Sequence, residues 1–200
     1  KNEYQENDNP NPLSIYGKSK YEGELIAGTL PKSIIIRAGW MMGGGPKKDK
    51  KFINKVIKQI NAGKKEIMAV DDKLGTPCYT YDLAEVILYL LKNDLFGLYH
   101  GVCEGGGNRY DIAKYLVELL GLSHAVSVVP VNSNFFDKNF EEKYFAPRPR
   151  SECLINIKLK KLNPSLTRDW RVCLRDYISK FDWLDQYMSN YVGREKSKVS

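Results

Sequence analysis

Short apolar runs alternate along the chain with segments whose apolar residues recur every three or four positions. The run 33–38, Ser-Ile-Ile-Ile-Arg-Ala, is typical of a strand that is buried on both faces of a parallel sheet. The segment 52–60 has helical spacing instead, and Gly63 follows it as a stop. Because strands and helices alternate, the sequence predicts an α/β fold with buried strands between helices.

The same patterns predict further elements and several irregular segments. A helix begins near Tyr16, and another is expected after Asp82 as its N-cap. A long irregular loop is expected over 132–155, and such loops inside compact domains are more often functional than idle. The remaining predictions are strands at 66–70, 98–102 and 126–131, a helix capped by Asn108 or Asp111, a last helix from about Arg168 to about Tyr187, a loop-like start at 1–11 and a flexible loop at 43–46.

The size of the chain suits one domain with a sizeable core. Of its 200 residues, 42% are hydrophobic and 28% charged, which is ordinary for a globular protein. We expect one domain over 1–192 and a charged, disordered tail over 193–200. No apolar run of about 18 residues predicts a membrane span, and the N-terminus is too polar for a signal peptide, so we expect a cytoplasmic protein.

Two other features exclude function classes. The net charge of +7 comes largely from lysines and arginines in solvated loops, without a groove-reading motif, so we expect no nucleic-acid partner. The cysteines, at 78, 103, 153 and 173, are scattered and form no Cys-x-x-Cys pair. This spacing argues against a zinc site and indicates reduced, buried thiols.

The stretch 11–24 combines a helix start with chemically useful residues. Pro12 ends any preceding helix, and a new one can begin just after it. On that helix Tyr16 and Lys20 are four residues apart and share a face. An ammonium beside a phenol favours the ionised phenolate, which lets a tyrosine exchange a proton with a carbonyl or an alcohol near neutral pH.

The spacing alone is weak, because the chain has a second Tyr-x-x-x-Lys at 110–114 that we interpret as ordinary helix surface. Small residues distinguish the first copy: Gly17, Ser19 and Gly23 let a ligand or another backbone approach closely. The alternative, a partly buried tyrosine with a solvated lysine, stays open on spacing alone.

Four ordered stretches resemble one family. Residues 12–24 resemble the active-site helix of the extended short-chain dehydrogenases/reductases, and within them the dTDP-4-dehydrorhamnose reductases and their sugar-nucleotide relatives. Residues 37–43 resemble the strand and loop after that helix, and 70–84 resemble the substrate-domain signature. Arg148-Pro149, followed by Leu154 and 158–159, resembles the late substrate loop.

The resemblance implies roles for particular residues. Tyr16 would be the proton donor, and Lys20 would bind the nicotinamide ribose and favour ionisation of the Tyr16 phenol. Ala38 and Gly39 match the segment that passes the nicotinamide ring. Trp40 matches a tryptophan that lies against the sugar, with a core tryptophan as the alternative. Arg148 would contact the diphosphate of the sugar nucleotide, since a guanidinium donates two parallel hydrogen bonds to a phosphate.

The sequence also departs from the family pattern. Glu152 stands where a serine is usual, and Met41-Met42 replaces a valine-tyrosine-like pair. No Gly-x-x-Gly-x-x-Gly turn between a strand and a helix is present, nor the serine or threonine that polarises the carbonyl. We therefore expect the C-terminal part of a Rossmann-like doubly wound parallel sheet with a smaller α/β substrate-binding region, inactive by itself.

The implied activity is the NAD(P)H-dependent reduction of a nucleotide-linked 4-keto sugar. An epimerase or reductase for another nucleotide sugar is one alternative, and a non-catalytic regulatory subunit on the same fold is another. The choice between NADPH and NADH stays open. The resemblance allows a homodimer and a magnesium ion, but the sequence shows no carboxylate cluster that would hold the ion.

Overall fold

A computed structural model describes residues 3–139 and 148–184. Strands and helices alternate, which confirms the α/β prediction. The strands are β1 (Glu3–Tyr4), β2 (Ile34–Ala38), β3 (Trp40–Met42), β4 (Glu66–Val70), β5 (Leu74–Gly75), β6 (Pro77–Tyr79), β7 (Gly97–Gly101), β8 (Gly107–Asn108), β9 (Ser127–Val131) and β10 (Ser151–Leu154). The helices are α1 (Ile15–Gly28), α2 (Gly45–Lys48), α3 (Phe52–Asn61), α4 (Thr80–Lys92), α5 (Arg109–Leu119), α6 (Asn134–Asn139), α7 (Ile157–Leu162) and α8 (Trp170–Ser179), with a 3₁₀ turn at Pro164–Leu166.

Parallel pairing dominates the described strands. β2 lies beside β7, with Ile34 opposite Gly97 and Ala38 opposite Gly101. β3 lies beside β6 and β4 beside β9, both parallel. β1, β10, β5 and β8 form a four-stranded sheet whose β5–β8 pair is antiparallel. Parallel neighbours need long crossover connections, which the helices between them supply.

Two apolar clusters hold these layers together. The larger one lies where α3, α5 and α8 pack around β4, and the smaller one joins α4, β7 and α7. Burying each large side chain contributes about 1.5–3 kcal/mol. The large cluster includes Ile53, Val56, Ile57, Ile60, Ile67, Ile112, Leu116, Trp170, Leu174 and Tyr177, and the small one Val86, Leu90, Tyr99 and Leu159.

Helix α1 is held differently, since none of its residues is buried. It contacts β2, and the guanidinium of Arg37 on that strand donates from Nε and Nη2 to the two carboxylate oxygens of Glu24 on the helix. Such a bidentate pair fixes orientation as well as adding energy. The face of α1 that carries Tyr16 is therefore presented outward, with Tyr16 64% exposed.

The structure corrects the predicted N-cap at Asp82. Helix α4 begins at Thr80, with Tyr79 at the N-cap position and no side-chain cap. Asp82 lies in the first turn, where its carboxylate accepts hydrogen bonds from Nε and Nη2 of Arg168. For α5 the two candidate residues act together: Asn108 accepts from the Asp111 amide, and Asp111 accepts in return from the Asn108 amide.

Three predicted irregular segments contain regular structure. Residues 1–11 include β1, which pairs with β10, and 132–155 include both α6 and β10. The strands among them are short, so they are defined by pairing with segments distant in the sequence and not by a local pattern. The flexible loop predicted at 43–46 is wrong in its second half: Gly43 and Gly44 are irregular, but Gly45 starts α2, and its amide donates to the Tyr177 hydroxyl at 3.1 Å.

The last helix, α8, is shorter than predicted, ending at Ser179, and residues 181–184 are not helical. The stretch from 185 to the predicted end near Tyr187 and the predicted tail 193–200 lie outside the described residues.

Candidate functional site

The tyrosine–lysine pair is set by the way α1 begins. Ser14 is the N-cap, and its hydroxyl accepts from the amide of Gly17 at 3.1 Å. A Cβ at Gly17 would lie 3.1 Å from the Cβ of Pro12, so the glycine lets the turn close on the proline. One turn on, the ammonium of Lys20 lies 5.6 Å from the centroid of the Tyr16 ring. The shared helix face that the sequence predicts for these two residues is therefore present.

A cleft of about 1490 Å³ runs from this pair across the ends of β2 and β3. It is large enough for a ligand of substantial size. Every residue that the sequence singled out for a site borders it: Tyr16, Lys20, Ala38, Gly39, Trp40 and Arg148. The structure thus brings together residues that are spread over more than half of the chain.

Gly39 is required for backbone packing. A Cβ there would lie 2.0 Å from the carbonyl oxygen of Thr76, and the next amide, that of Trp40, donates to the same oxygen at 2.9 Å. Ala38, one residue earlier, is exposed at the cleft. The backbone at 39–40 therefore packs closely against Thr76, the residue before β6, while Ala38 stays exposed at the cleft.

Trp40 has neighbours that fix its ring. A Cβ on Gly75 would lie 2.2 Å from the indole, so glycine is the residue that fits under it. The indole Nε1 donates to Oε2 of Glu152 at 2.9 Å. The tryptophan is half-buried, packed in part against the large cluster and in part bordering the cleft. Glu152, the departure from the family pattern, therefore holds this ring.

Arg148 lies at the rim of the cleft, with its side chain 65% exposed. Its Nη1 is 3.7 Å from Oε1 of Glu152, and its carbonyl accepts from Nζ of Lys73 at 3.2 Å. At such exposure an ion pair contributes little to stability. The guanidinium is therefore available to a ligand.

Arg109 is a cleft residue that the sequence analysis missed. It is the first residue of α5, and its Cζ lies 4.3 Å from the ring of Trp40 and 4.6 Å from the ring of Phe52. Burial lowers the pKa of the Arg109 guanidinium to about 10, which leaves it charged at neutral pH. No local pattern could have found it, because both stacking partners are distant in sequence.

The lysine-rich loop is partly a cleft feature. Lys50 and Lys51 are exposed, as predicted, but they also border the cleft together with Lys55 and Lys73. With Lys20, Arg109 and Arg148 they make the lining predominantly cationic, since Glu24 and Glu152 are its acidic members. Such a lining favours an anionic ligand.

Other sequence features lie apart from this chemistry. In the second Tyr-x-x-x-Lys, Lys114 is exposed helix surface as predicted, whereas Tyr110 packs against the large cluster. The cysteines at 78, 103, 153 and 173 are free and buried, as predicted. Burial, together with the Cys103 thiol, raises the pKa of the Cys78 thiol to about 12. A thiol of this kind is a poor nucleophile.

The described residues hold neither a metal-binding cluster nor a helix that could span a membrane. No group of three or more His, Cys, Asp and Glu side chains in 3–139 and 148–184 is arranged to hold a metal ion. Within the same residues, no helix has the length and apolar character that crossing a membrane requires.

The parallel strands and the crossover helices define the class of protein: a Rossmann-like α/β fold. dTDP-glucose 4,6-dehydratase from Bacillus anthracis has this fold, with a TM-score of 0.68 over 93% of this chain and 57% of that chain, at 16% identity. At that identity the likeness concerns the fold alone.

The chain belongs to the RmlD substrate binding domain family, whose profile matches residues 1–183. The spore coat polysaccharide biosynthesis protein SpsK of Bacillus subtilis is 33% identical over 88% of this chain and 58% of its own length. Among solved structures, the dTDP-4-dehydrorhamnose reductase of Yersinia enterocolitica superimposes with a TM-score of 0.80 at 35% identity, over 91% of this chain and 62% of that chain. The dTDP-4-dehydrorhamnose reductase of Bacillus anthracis, solved with NADP, has a TM-score of 0.78 at 28% identity, over 90% of this chain and 60% of that chain.

The chain thus spans about 60% of the length of these three relatives. The match includes α1 and the cleft, which are the parts of the structure that carry the candidate site residues.

Proposed function

We propose that this protein takes part in the NAD(P)H-dependent reduction of a nucleotide-linked 4-keto sugar, with dTDP-4-dehydrorhamnose as the substrate. One observation carries the proposal: Tyr16 and Lys20 lie together at one side of a cationic cleft that also holds Trp40 and Arg148. The names and identities of the relatives support it, since several are dTDP-4-dehydrorhamnose reductases at about 30% identity.

Tyr16 is the proposed acid. Its phenol is exposed beside the cleft, so it can reach a carbonyl oxygen of a bound sugar without a change in the helix. Donating the phenolic proton to that oxygen completes the alcohol as the carbonyl carbon is reduced. Lys20 stabilises the phenolate that remains, because an opposite charge nearby favours an ionised group.

The residues at this side of the cleft fit the nicotinamide end of a cofactor. Among the described residues, the Lys20 ammonium has no hydrogen-bond or ion-pair partner, so its N–H groups are free for ribose hydroxyls. Ala38 and Gly39 leave open space beside it, where a nicotinamide would supply hydride when bound. The fit does not extend to magnesium, since the described residues hold no carboxylate cluster.

The other side of the cleft suits the substrate. The flat, half-buried face of Trp40 suits a sugar ring, and Arg148 presents a guanidinium that suits phosphate. We further propose that 1–192 acts as one unit in this role.

Titration calorimetry of the protein with dTDP and with NADPH tests binding. In a chain that spans the full length of its reductase relatives, reduction is then followed as NADPH consumption with dTDP-4-dehydrorhamnose, and product analysis separates reduction from epimerisation. Binding of dTDP is the expected result for the substrate side of the cleft. A protein that binds neither dTDP nor the keto sugar would contradict the proposal, whatever its affinity for NADPH.

A further inference from the structure

Arg109 is held in a way that exposes its donors to the cleft. Its guanidinium lies against the rings of Trp40 and Phe52, at 4.3 and 4.6 Å from their centroids. Stacking on aromatic rings uses the flat faces of a guanidinium, while its N–H groups lie in the plane and point outward from the edge. The two rings therefore hold the cation at the cleft, and no described residue accepts a hydrogen bond from it.

Those donors have no partner among the described residues. In the part of the chain that the structure describes, the Arg109 guanidinium makes no hydrogen bond and no ion pair, although the residue is only partly accessible to solvent. Withdrawing a charge from water without pairing it is costly, and arginines are seldom left so. An unpaired cation on the wall of an open cleft points to an anion that arrives from outside.

The nearby Glu152 carboxylate favours the charge of Arg109, but it makes no hydrogen bond or ion pair with this guanidinium. Oε2 of Glu152 accepts from Trp40 at 2.9 Å, and Oε1 lies 3.7 Å from Nη1 of Arg148. One carboxylate thus stands among two guanidiniums, those of Arg109 and Arg148, and the group keeps a net positive charge.

We propose that Arg109 is a second diphosphate-binding residue beside Arg148, and that Glu152 is an internal counter-ion with which the incoming diphosphate competes. This inference rests on the proposed function, because it assigns the anion to the nucleotide sugar. Two guanidiniums match the two phosphates of such a ligand, and each can donate a pair of parallel hydrogen bonds. Glu152 repels the same ligand while it keeps Trp40 in place.

Calorimetric titration with dTDP and with inorganic pyrophosphate tests Arg109. We expect Arg109→Leu, which keeps an apolar side chain between the rings, to weaken both ligands by about tenfold to a hundredfold. Arg109→Lys keeps the charge but not the planar guanidinium. Its affinity for both ligands should lie between those of the wild type and of Arg109→Leu. If Arg109→Leu does not fold, an Arg109→Lys protein with unchanged affinity overturns the inference.

Arg171 provides the matched control. It also stacks on a tryptophan, Trp170, at 4.4 Å from the ring, and it pairs with Asp169 at 3.6 Å. It does not border the cleft. Arg171→Leu removes the same charge and the same kind of stacking, and it should leave both affinities unchanged. An equal loss in both variants would show that net charge alone matters, and would overturn the inference.

Glu152→Gln tests the counter-ion. The amide oxygen can still accept from Trp40, but the negative charge is gone. We expect dTDP and pyrophosphate to bind about threefold to tenfold more tightly. Unchanged or weaker binding would contradict the competition that we propose.

The two ligands separate this inference from the proposed function. Binding of dTDP that is equal in the wild type and in Arg109→Leu overturns the role of Arg109 and leaves the proposed function standing. Pyrophosphate binding that depends on Arg109, without any binding of dTDP, overturns the nucleotide-sugar assignment and supports an anion site. Binding of neither ligand by the wild type overturns both.

Discussion

Trp40 and Glu152 are separated by 112 residues, and the indole Nε1 of the first donates to Oε2 of the second at 2.9 Å. The bond joins the start of β3 to β10. It sets the position of a flat ring between the tyrosine–lysine side of the cleft and its arginines. The cleft is thus shaped by a polar contact between two segments that are distant in sequence.

Gly75 should be required under this ring. In Gly75→Ala the new methyl group would lie 2.2 Å from the indole, so Trp40 has to move. We expect a loss of about 1–3 kcal/mol in the free energy of unfolding, measured by urea denaturation. Gly23→Ala is the control, since a Cβ there meets nothing within 4 Å, and its helical position predicts a gain of about 0.5–1 kcal/mol. A Gly75→Ala protein as stable as the wild type would contradict the packing described.

Tyr16→Phe should abolish most of the proposed reduction without affecting the fold. The phenol is exposed, and no hydrogen bond joins it to any described residue. In a chain that spans the full length of its reductase relatives, we expect a rate of NADPH consumption lower by about a hundredfold to ten-thousandfold, because the acid is removed. Tyr110→Phe, in the second Tyr-x-x-x-Lys, should leave the rate unchanged. Equal rates in Tyr16→Phe and the wild type would refute the role of Tyr16.

His100 should make stability depend on pH. It is fully buried, its Nδ1–H donates to the Ile155 carbonyl at 3.0 Å, and Nε2 has no partner among the described residues. Burial lowers the pKa of His100, and the charges of Glu6 and Arg37 act on it in opposite directions. Between that lowered value and about 6.5, the unfolded chain binds a proton that the folded protein does not bind.

The free energy of unfolding should therefore fall as the pH is lowered through this window, by at most about 1.4 kcal/mol per pH unit, and this contribution should be constant above it. Urea denaturation between pH 7.5 and 5 measures the slope. His100→Asn, which keeps a donor for Ile155, should flatten it. His124→Gln changes an exposed histidine and should leave the slope unchanged. A slope that survives in His100→Asn would assign the effect to another group.

Asn156 should be a costly residue to replace. It is buried, its Oδ1 accepts from the amide of Val102 at 3.2 Å, and its Nδ2 donates to the carbonyl of the same residue at 2.6 Å. Asn156→Ala leaves two buried backbone groups unpaired, which predicts a loss of about 2–4 kcal/mol in the free energy of unfolding.

Thermal or urea denaturation measures that loss. Asn163→Ala is the control, because Asn163 accepts a hydrogen bond from Ser165 at the surface. This substitution should lower the free energy of unfolding by less than about 1 kcal/mol. Similar losses in the two variants would show that the buried bridge to Val102 has no special weight.

The sequence predicted the long elements well. The helices α3 and α5 and the strands β2, β4 and β9 lie where their apolar patterns placed them, because these residues pack against the core. Helix α1 also lies where it was predicted, although none of its residues is buried. It predicted β1, β5, β6, β8 and β10 poorly or not at all. These strands have two to four residues, too few for a pattern, and they exist because distant segments pair with them.

By itself, the sequence determined the α/β class, the shared face of Tyr16 and Lys20, and the resemblance that implies a nucleotide-sugar site. Each of these depends on spacing within one segment or on residue identities. Only the tertiary structure decided that Arg109 stacks on Trp40 and Phe52, that Glu152 holds the Trp40 indole, and that Gly39 and Gly75 allow close packing. The physical reason is that these contacts join residues from separate elements, and their distances follow from how helices and strands pack together.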